Sequence, residues 1–178
     1  MTRSLNAFGL IALVLLLGAG ALFLFLREGP PTLYINEFMA HNTSCCPDTA
    51  SGGDEFDDWI EIYNGSKVPV NIAGMYFSQN KSNPIGHKIA DTNAELTTIQ
   101  PGGYLILWAD ASPGQGILHL DFKLDQDGEF LGFFDNHGRT IDSHVFTKQT
   151  PNISLGRFVD GGNEWILFMK PTPGMANR

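Results

Sequence analysis

The sequence has only two cysteines among its 178 residues, and these two, Cys45 and Cys46, are adjacent. Two cysteines fall short of the four ligands of a structural zinc site, and neighbouring residues cannot join distant strands. We therefore expect a fold that is held together by its hydrophobic core. In an oxidising compartment Cys45 and Cys46 can bond to each other or to another chain; otherwise they remain simple loop thiols.

Positive charge is also scarce, since 11 Lys and Arg face 19 Asp and Glu, for a formal net charge of −8. Once Arg3, Arg27 and Glu28 are set aside, the chain after residue 32 keeps nine basic and 18 acidic residues, a net charge of −9. An acidic chain without a basic cluster lacks the electrostatic footprint of a nucleic-acid-binding protein. We expect no nucleic-acid partner.

Motifs of enzymatic chemistry are missing. The chain has no Gly-x-Ser-x-Gly elbow, no phosphate-binding glycine loop and no pair of histidines at metal-ligand spacing. We therefore predict that the chain is not an enzyme, has no small-molecule substrate and needs no cofactor. His119, two residues before Asp121, is assigned a structural role.

One long hydrophobic run is present, Ala7–Leu26, which has no charged or amide side chain. As a helix it is long enough to cross a hydrocarbon core of about 30 Å. We predict a cytoplasmic N-terminus at 1–6, a transmembrane helix at 7–26, a linker at 27–32 and one domain at 33–178.

A cleaved signal peptide is the alternative interpretation, with Phe8–Leu17 as its apolar region and a small-residue site ending at Ala21. Cleavage there would leave Leu22–Leu26 exposed at the new terminus, and the apolar run is longer than such regions usually are. We favour the membrane anchor.

The flanks of the run suggest its orientation and its neighbours. Arg3 precedes the run, whereas Arg27 and Glu28 cancel, so the positive-inside rule favours a cytoplasmic N-terminus. The expected location is the bacterial inner membrane, single-pass, with the domain in the periplasm.

The turn Gly18, Ala19, Gly20 and Ala21 carries small residues on every face, which permits close packing of another helix. The expected partners are the lipid bilayer and other membrane-protein subunits.

After residue 32, short runs rich in β-branched and aromatic residues alternate with clusters of Gly, Pro, Asn and Asp. This pattern is typical of a β-sandwich or barrel. The predicted strands are Leu33–Ala40, Trp59–Asn64, Val70–Ser78, His87–Ala90, Leu96–Ile99, Tyr104–Ala109, Leu118–Leu124, Glu129–Asp135, Thr140–Phe146, Ser154–Val159 and Trp165–Phe168. On the strand Glu129–Asp135, Phe133 would point away from Phe130 and Phe134, which predicts an exposed phenylalanine on one face.

Nine segments occur in a characteristic order: Ile35–Ala40, Asp58–Asn64, Val70–Ser78, Pro101–Ala109, Leu118–Leu124, Gly128–Glu129, Ile141–Ser143, Ser154–Arg157 and Pro171–Asn177. In this order the chain resembles the lamin-tail domain, over residues 33–177, and the Asp58–Asn64 element is similar to that of bacterial members. The resemblance implies an all-β, immunoglobulin-like β-sandwich that is not catalytic and that mediates contacts between proteins. Because no heptad segment is present, we expect no filament built on a coiled-coil rod.

The loop Asp48–Asp58 is the candidate metal site. Its carboxylates are Asp48, Asp54, Glu55, Asp57 and Asp58. Oxygen ligands on a flexible loop suit Ca²⁺, although their spacing matches no EF-hand. The alternative is a solvated acidic loop in which Asp58 makes local hydrogen bonds.

Two functions fit these observations. The first is a non-catalytic accessory or scaffold subunit, anchored in the membrane and docked to a larger inner-membrane complex, of which an energy-converting complex is one kind. The second is a cell-surface module that binds carbohydrate or an extracellular protein, with or without Ca²⁺, through the loop Asn80–Asn93 and the acidic loop.

Overall fold

The computed structural model describes residues 32–48 and 55–178. The elements in this part are β1 (Leu33–Met39), β2 (Asp58–Asn64), β3 (Val70–Asn71), β4 (Tyr76–Ser78), β5 (His87–Lys88), α1 (Ala94–Thr97), β6 (Thr98–Ile99), β7 (Tyr104–Ala109), β8 (Phe130–Phe134), β9 (Thr140–Val145), β10 (Ser154–Arg157) and β11 (Trp165–Phe168). None of the helices in the described ranges has the length and apolar character to cross a membrane. The predicted span 7–26, including Gly18–Ala21, lies outside these ranges.

The strands form two larger antiparallel sheets and a small pair. One sheet has the order β11-β10-β1-β2-β7, the other has the order β5-β4-β8-β9, and β3 pairs with β6. Buried side chains from both larger sheets join one hydrophobic cluster, with Ile35 and Ile60 from the first and Phe77 and Phe133 from the second. The arrangement is all-β and consistent with an immunoglobulin-like sandwich.

The five-stranded sheet is buried on both faces around β2. Along this strand Trp59, Ile60, Glu61 and Ile62 are all fully buried. Ile60 and Ile62 face the shared core, whereas Glu61 lies on the opposite face. The C-terminal tail packs there, because the backbone N–H of Gly174 donates to a Glu61 carboxylate oxygen at 2.7 Å.

Two predicted strands are interrupted in the structure. The predicted strand Val70–Ser78 is divided into β3 and β4, because Gly74 between them has φ +81°, which an extended strand does not allow. The predicted strand Leu96–Ile99 begins inside α1. The Asn93 side chain caps that helix by accepting from the Glu95 N–H at 3.0 Å, so only Thr98–Ile99 remains extended, as β6.

The predicted strand Leu118–Leu124 is not a strand. His119 bridges Trp108 in the parallel sense, whereas Lys123 bridges Asp110 in the antiparallel sense. The segment thus runs parallel to β7 at His119 and antiparallel to the residues after β7 at Lys123. It has to turn between these two bridges, so it cannot be extended throughout.

The prediction of an exposed phenylalanine on β8 is also wrong. Phe133 and Phe134 are both buried, and Phe130 is partly buried. The alternation of faces is kept, because Leu131 and Phe133 join the shared core and Phe134 does not. On the other face the rings of Phe130 and Phe134 close over Gly132, where an added Cβ would lie 2.7 Å and 2.5 Å from them.

Candidate functional site

Three side chains meet at the end of β7, one from the loop after β1 and two from the segment after β7. We call them the buried carboxylate–histidine cluster: Asp48, Asp110 and His119. The Nδ1 atom of His119 lies 2.8 Å from Oδ2 of Asp110 and 3.8 Å from Oδ2 of Asp48. The exposed fractions of the three side chains are 3% for Asp48, 2% for Asp110 and 4% for His119. Within residues 32–48 and 55–178, this cluster is the one place where three potential metal ligands come together.

Backbone contacts position each member of the cluster. Asp110 follows β7, and its Oδ1 accepts from the Ser112 N–H at 2.9 Å, which leaves Oδ2 facing His119. The chain around His119 lies against β7, because Leu120 donates its N–H to the Trp108 carbonyl at 2.8 Å. Asp48 donates its N–H to the Glu55 carbonyl, also at 2.8 Å.

The predicted calcium loop is only partly described, and its carboxylates do not converge in the described part. Asp54 lies outside the described residues, and Glu55 is exposed. Burial raises the pKa of Asp58 to about 6, and this carboxylate accepts from the Asn42 N–H at 3.0 Å. Burial, helped by the charges of Asp110 and Glu55, raises the pKa of Asp57. Calcium binding by this loop stays a prediction.

His119 is paired with Asp110 and not with Asp121, although Asp121 is nearer in the sequence. Its ring contacts Asp110, whereas Asp121 donates its backbone N–H to Nδ1 of His87 at 3.1 Å. The sequence signal for the contact is weak: an Asp directly after the strand Tyr104–Ala109, and a His nine residues later.

Cys45 and Cys46 are bonded to each other in the structure. The Asn42 side chain holds this turn, since its Nδ2 donates to the Cys45 carbonyl at 2.6 Å and its Oδ1 accepts from the Cys45 N–H at 2.9 Å. The pair therefore lies at the start of the loop that leads to Asp48.

The outer face of the five-stranded sheet holds two buried glutamates, Glu37 and Glu61. The Ser154 hydroxyl donates to Glu37, and so does the hydroxyl of Thr172, at 2.6 Å. Asn36 donates to Glu61 at 2.9 Å. Burial raises the pKa of Glu61 to about 8, and the charge of Glu37 acts in the same direction.

Arg157 at the end of β10 connects several elements. Its Nε donates to the Ile35 carbonyl at 2.8 Å, its Nη2 lies 2.7 Å from Oδ2 of Asp142, and its Nη1 donates to the Gly162 carbonyl. The guanidinium also lies over two rings, 5.3 Å from the centroid of Tyr34 and 4.9 Å from that of Trp165.

Large apolar side chains are exposed on the β10–β11 hairpin. Leu167 on β11 is 56% exposed, and Met169 directly after the strand is 75% exposed. Phe158 and Val159, in the connection between the strands, are also about half exposed. We call these four residues the hairpin patch. β11 is an edge strand of its sheet.

Two cavities lie beside His87. One, of about 320 Å³, is lined by His87, Pro113 and His119, among others. The second, of about 270 Å³, is lined by polar groups that include Gln79 and Asp121.

The comparison with protein families supplies the decisive observation, because the lamin tail domain model matches residues 27–148. The chain belongs to the lamin tail domain family. The comparison with curated proteins and the comparison with solved structures found no match. The family match ends before β10, so the resemblance over the remaining residues to 177 stays a prediction.

Membership in this family supports two of the expectations. A lamin tail domain is a non-catalytic structural fold of immunoglobulin-like type, which favours an interaction module over an enzyme. It does not identify a partner, so partners have to be inferred from the surface.

Proposed function

We propose that the chain is a non-catalytic accessory or scaffold subunit whose lamin tail domain contacts other proteins in a larger inner-membrane complex. The observation that carries this proposal is the hairpin patch. Its apolar side chains are concentrated on one hairpin at a sheet edge, whereas scattered single apolar residues would need no explanation.

The position of the patch favours a protein partner. Edge strands offer unpaired backbone groups to another chain, and exposed side chains beside them add specificity. Leu167 on β11 combines both features, and Met169 directly after the strand adds a second exposed apolar side chain. Natural edge strands are commonly protected by charged residues, yet the four residues of β11 are all apolar.

The membrane part of the proposal comes from the sequence. The run Ala7–Leu26 is apolar throughout, and the linker 27–32 that follows it includes Pro30 and Pro31. A subunit with such a run is suited to contacts with other membrane proteins.

The experiment is purification of the tagged full-length chain from its native membrane in mild detergent, followed by mass spectrometry. We expect a stoichiometric set of membrane proteins to co-purify. Leu167→Glu should reduce their recovery at least several-fold. Val145→Glu is the matched control, because Val145 is a 70% exposed apolar residue on the edge strand of the other sheet.

Two results would contradict the proposal. One is a chain that purifies alone. The other is equal loss of partners in Leu167→Glu and Val145→Glu, because a general effect of added charge would then explain the loss. Replacement of 7–26 by an unrelated membrane helix tests separately whether the helix contributes to docking.

A second candidate function, recognition of carbohydrate at the cell surface, is favoured by the two cavities beside His87. Gln79, Asn80 and Asp121 supply polar groups there, and Phe122 supplies an aromatic ring. In this case binding to a glycan array should survive both Leu167→Glu and the helix replacement, and it should be lost in Asp121→Ala.

A further inference from the structure

We propose that the buried carboxylate–histidine cluster binds one divalent transition-metal ion, with Zn²⁺ as the ion that its ligand set fits best. The ligands are a carboxylate oxygen of Asp48, a carboxylate oxygen of Asp110 and a ring nitrogen of His119. This site is independent of the proposed contacts of the hairpin patch.

The distances within the cluster fit an ion placed between the three groups. One ligand atom from each residue can be chosen so that all three atoms lie within 4.8 Å of one another. Zinc bonds to nitrogen and oxygen are about 2.0–2.2 Å long, so two ligands of a tetrahedral site are separated by about 3.4 Å. The two distances from Nδ1 of His119, 2.8 Å to Asp110 and 3.8 Å to Asp48, lie on either side of that value.

Burial and charge favour a cation at this position. Asp48 and Asp110 are almost completely buried, and buried carboxylates require compensation by charge or hydrogen bonds. The imidazolium form of His119 would carry one positive charge beside two carboxylates. A divalent ion would balance both carboxylates and leave His119 neutral, which is the form that binds metals.

The ligand types select the class of ion. Calcium and magnesium are bound by oxygen ligands, whereas imidazole nitrogen suits zinc and its transition-metal neighbours. Three protein ligands leave a fourth position in a tetrahedral site. A water molecule is the candidate for it.

This site differs from the calcium loop that the sequence indicates. It shares Asp48 with that loop, and it adds Asp110 and His119 from the segment after β7. It has no need of Asp54, Glu55 or Asp58. The two sites therefore predict opposite responses to the same substitutions.

The first test is metal stoichiometry of the full-length chain in detergent, after removal of metal by a chelator and dialysis against Zn²⁺. We expect one zinc per chain, measured by elemental mass spectrometry, and a higher melting temperature with Zn²⁺ than with the chelator. Cobalt in the same site should give the visible absorption of tetrahedral Co²⁺ with nitrogen and oxygen ligands.

Matched variants assign the ligands. His119→Gln and Asp110→Asn keep the size of the side chain, and each should weaken zinc binding by more than about 10-fold. His87→Gln is the control, because His87 also contacts a carboxylate, that of Asp121 at 3.3 Å, but Asp121 is exposed. Zinc binding by His87→Gln and by Glu55→Gln should equal that of the unaltered chain.

Several different results would overturn the proposed zinc site. Less than one tightly bound zinc per unaltered chain overturns the proposal, and so does equal binding by His119→Gln. Stoichiometric Ca²⁺ that is lost in Glu55→Gln and retained in His119→Gln overturns it in favour of the acidic loop. If His119→Gln does not fold, the cobalt spectrum and the zinc-dependent melting temperature of the unaltered chain decide the outcome.

Discussion

At the scale of single residues, Glu61 is the most informative side chain outside the cluster. It lies in the middle of β2, it is fully buried, and its two oxygens accept hydrogen bonds from Asn36 and Gly174. The burial of a carboxylate disfavours its charged form, and the neighbouring Glu37 adds a like charge. The proton on Glu61 is therefore coupled to the folded state.

The pKa of Glu61 gives a pH-dependent stability with a definite sign. Its pKa rises from 4.5 to about 8 on folding. Between these values the folded chain binds more protons than the unfolded chain, so the contribution of Glu61 to stability is complete below pH 4.5 and is lost as the pH rises through 8. We expect the free energy of unfolding to fall over this range by an amount on the order of a few kcal/mol.

The measurement is urea denaturation of the unaltered chain and of Glu61→Gln at several pH values. Glu61→Gln cannot titrate, so its stability should depend less on pH, even if the loss of one acceptor lowers stability by about 1 kcal/mol at every pH. Glu164→Gln is the control, because Glu164 is an exposed glutamate in the β10–β11 connection. An unchanged pH slope in Glu61→Gln would show that another group causes the effect.

At the scale of elements, the accuracy of the sequence-based predictions follows the strength of local signals. The strands Tyr104–Ala109 and Trp165–Phe168 have the predicted bounds. Each is a compact apolar run, and Pro101-Gly102-Gly103 supplies a clear turn before the first of them. The segment Leu118–Leu124 has a regular alternation and is nevertheless not a strand, because its pairing with β7 and its end depends on tertiary contacts.

The candidate site was harder to predict for the same reason. Asp48 is far in sequence from Asp110 and His119, which are nine residues apart, and no spacing rule joins the three. The local pattern places His119 beside Asp121, and it groups Asp48 with the acidic residues that follow it. Only the way in which the chain folds back over the end of β7 brings the three side chains together.

The elements themselves are joined by Arg157. This residue belongs to β10, and it contacts the Ile35 carbonyl of β1 and the Asp142 carboxylate of β9, so it links the two larger sheets. The planar guanidinium makes these contacts from separate nitrogens and also stacks on aromatic rings. A lysine ammonium cannot reproduce that geometry.

We therefore expect Arg157→Lys to lower the free energy of unfolding by about 2–4 kcal/mol, as for other buried ion pairs that lose their geometry. Arg139→Lys is the matched control. Arg139 pairs with Asp135 at 2.6 Å, but its side chain is exposed, so its replacement should cost about 0–1 kcal/mol. Guanidinium denaturation of the two variants compares them directly, and equal losses would contradict the role that we assign to Arg157.

At the scale of the whole molecule, charge and hydrophobicity are separated along the sequence. The run 7–26 carries no charge, whereas the residues after 32 have a net charge of −9. An acidic domain gains nothing from anionic lipid surfaces or nucleic acid. The proposed contacts with a membrane complex therefore depend on the apolar run and the hairpin patch, and they should be insensitive to moderate salt.

The proposed orientation of the run 7–26 depends on very few charges, which makes it testable. Arg27 and Glu28 cancel after the run, so under the positive-inside rule Arg3 would bias the N-terminus toward the cytoplasm. Alkaline phosphatase fused after Arg178 should be active in the unaltered chain, because this enzyme needs the disulfides that form in the periplasm.

The double variant Arg3→Ser, Glu28→Lys moves the positive charge to the other side of the run, and we expect phosphatase activity to fall several-fold. Glu28→Gln alone is the control, since it keeps Arg3. If the double variant keeps full activity, loop charge does not set the orientation, and export of the domain itself would have to do so.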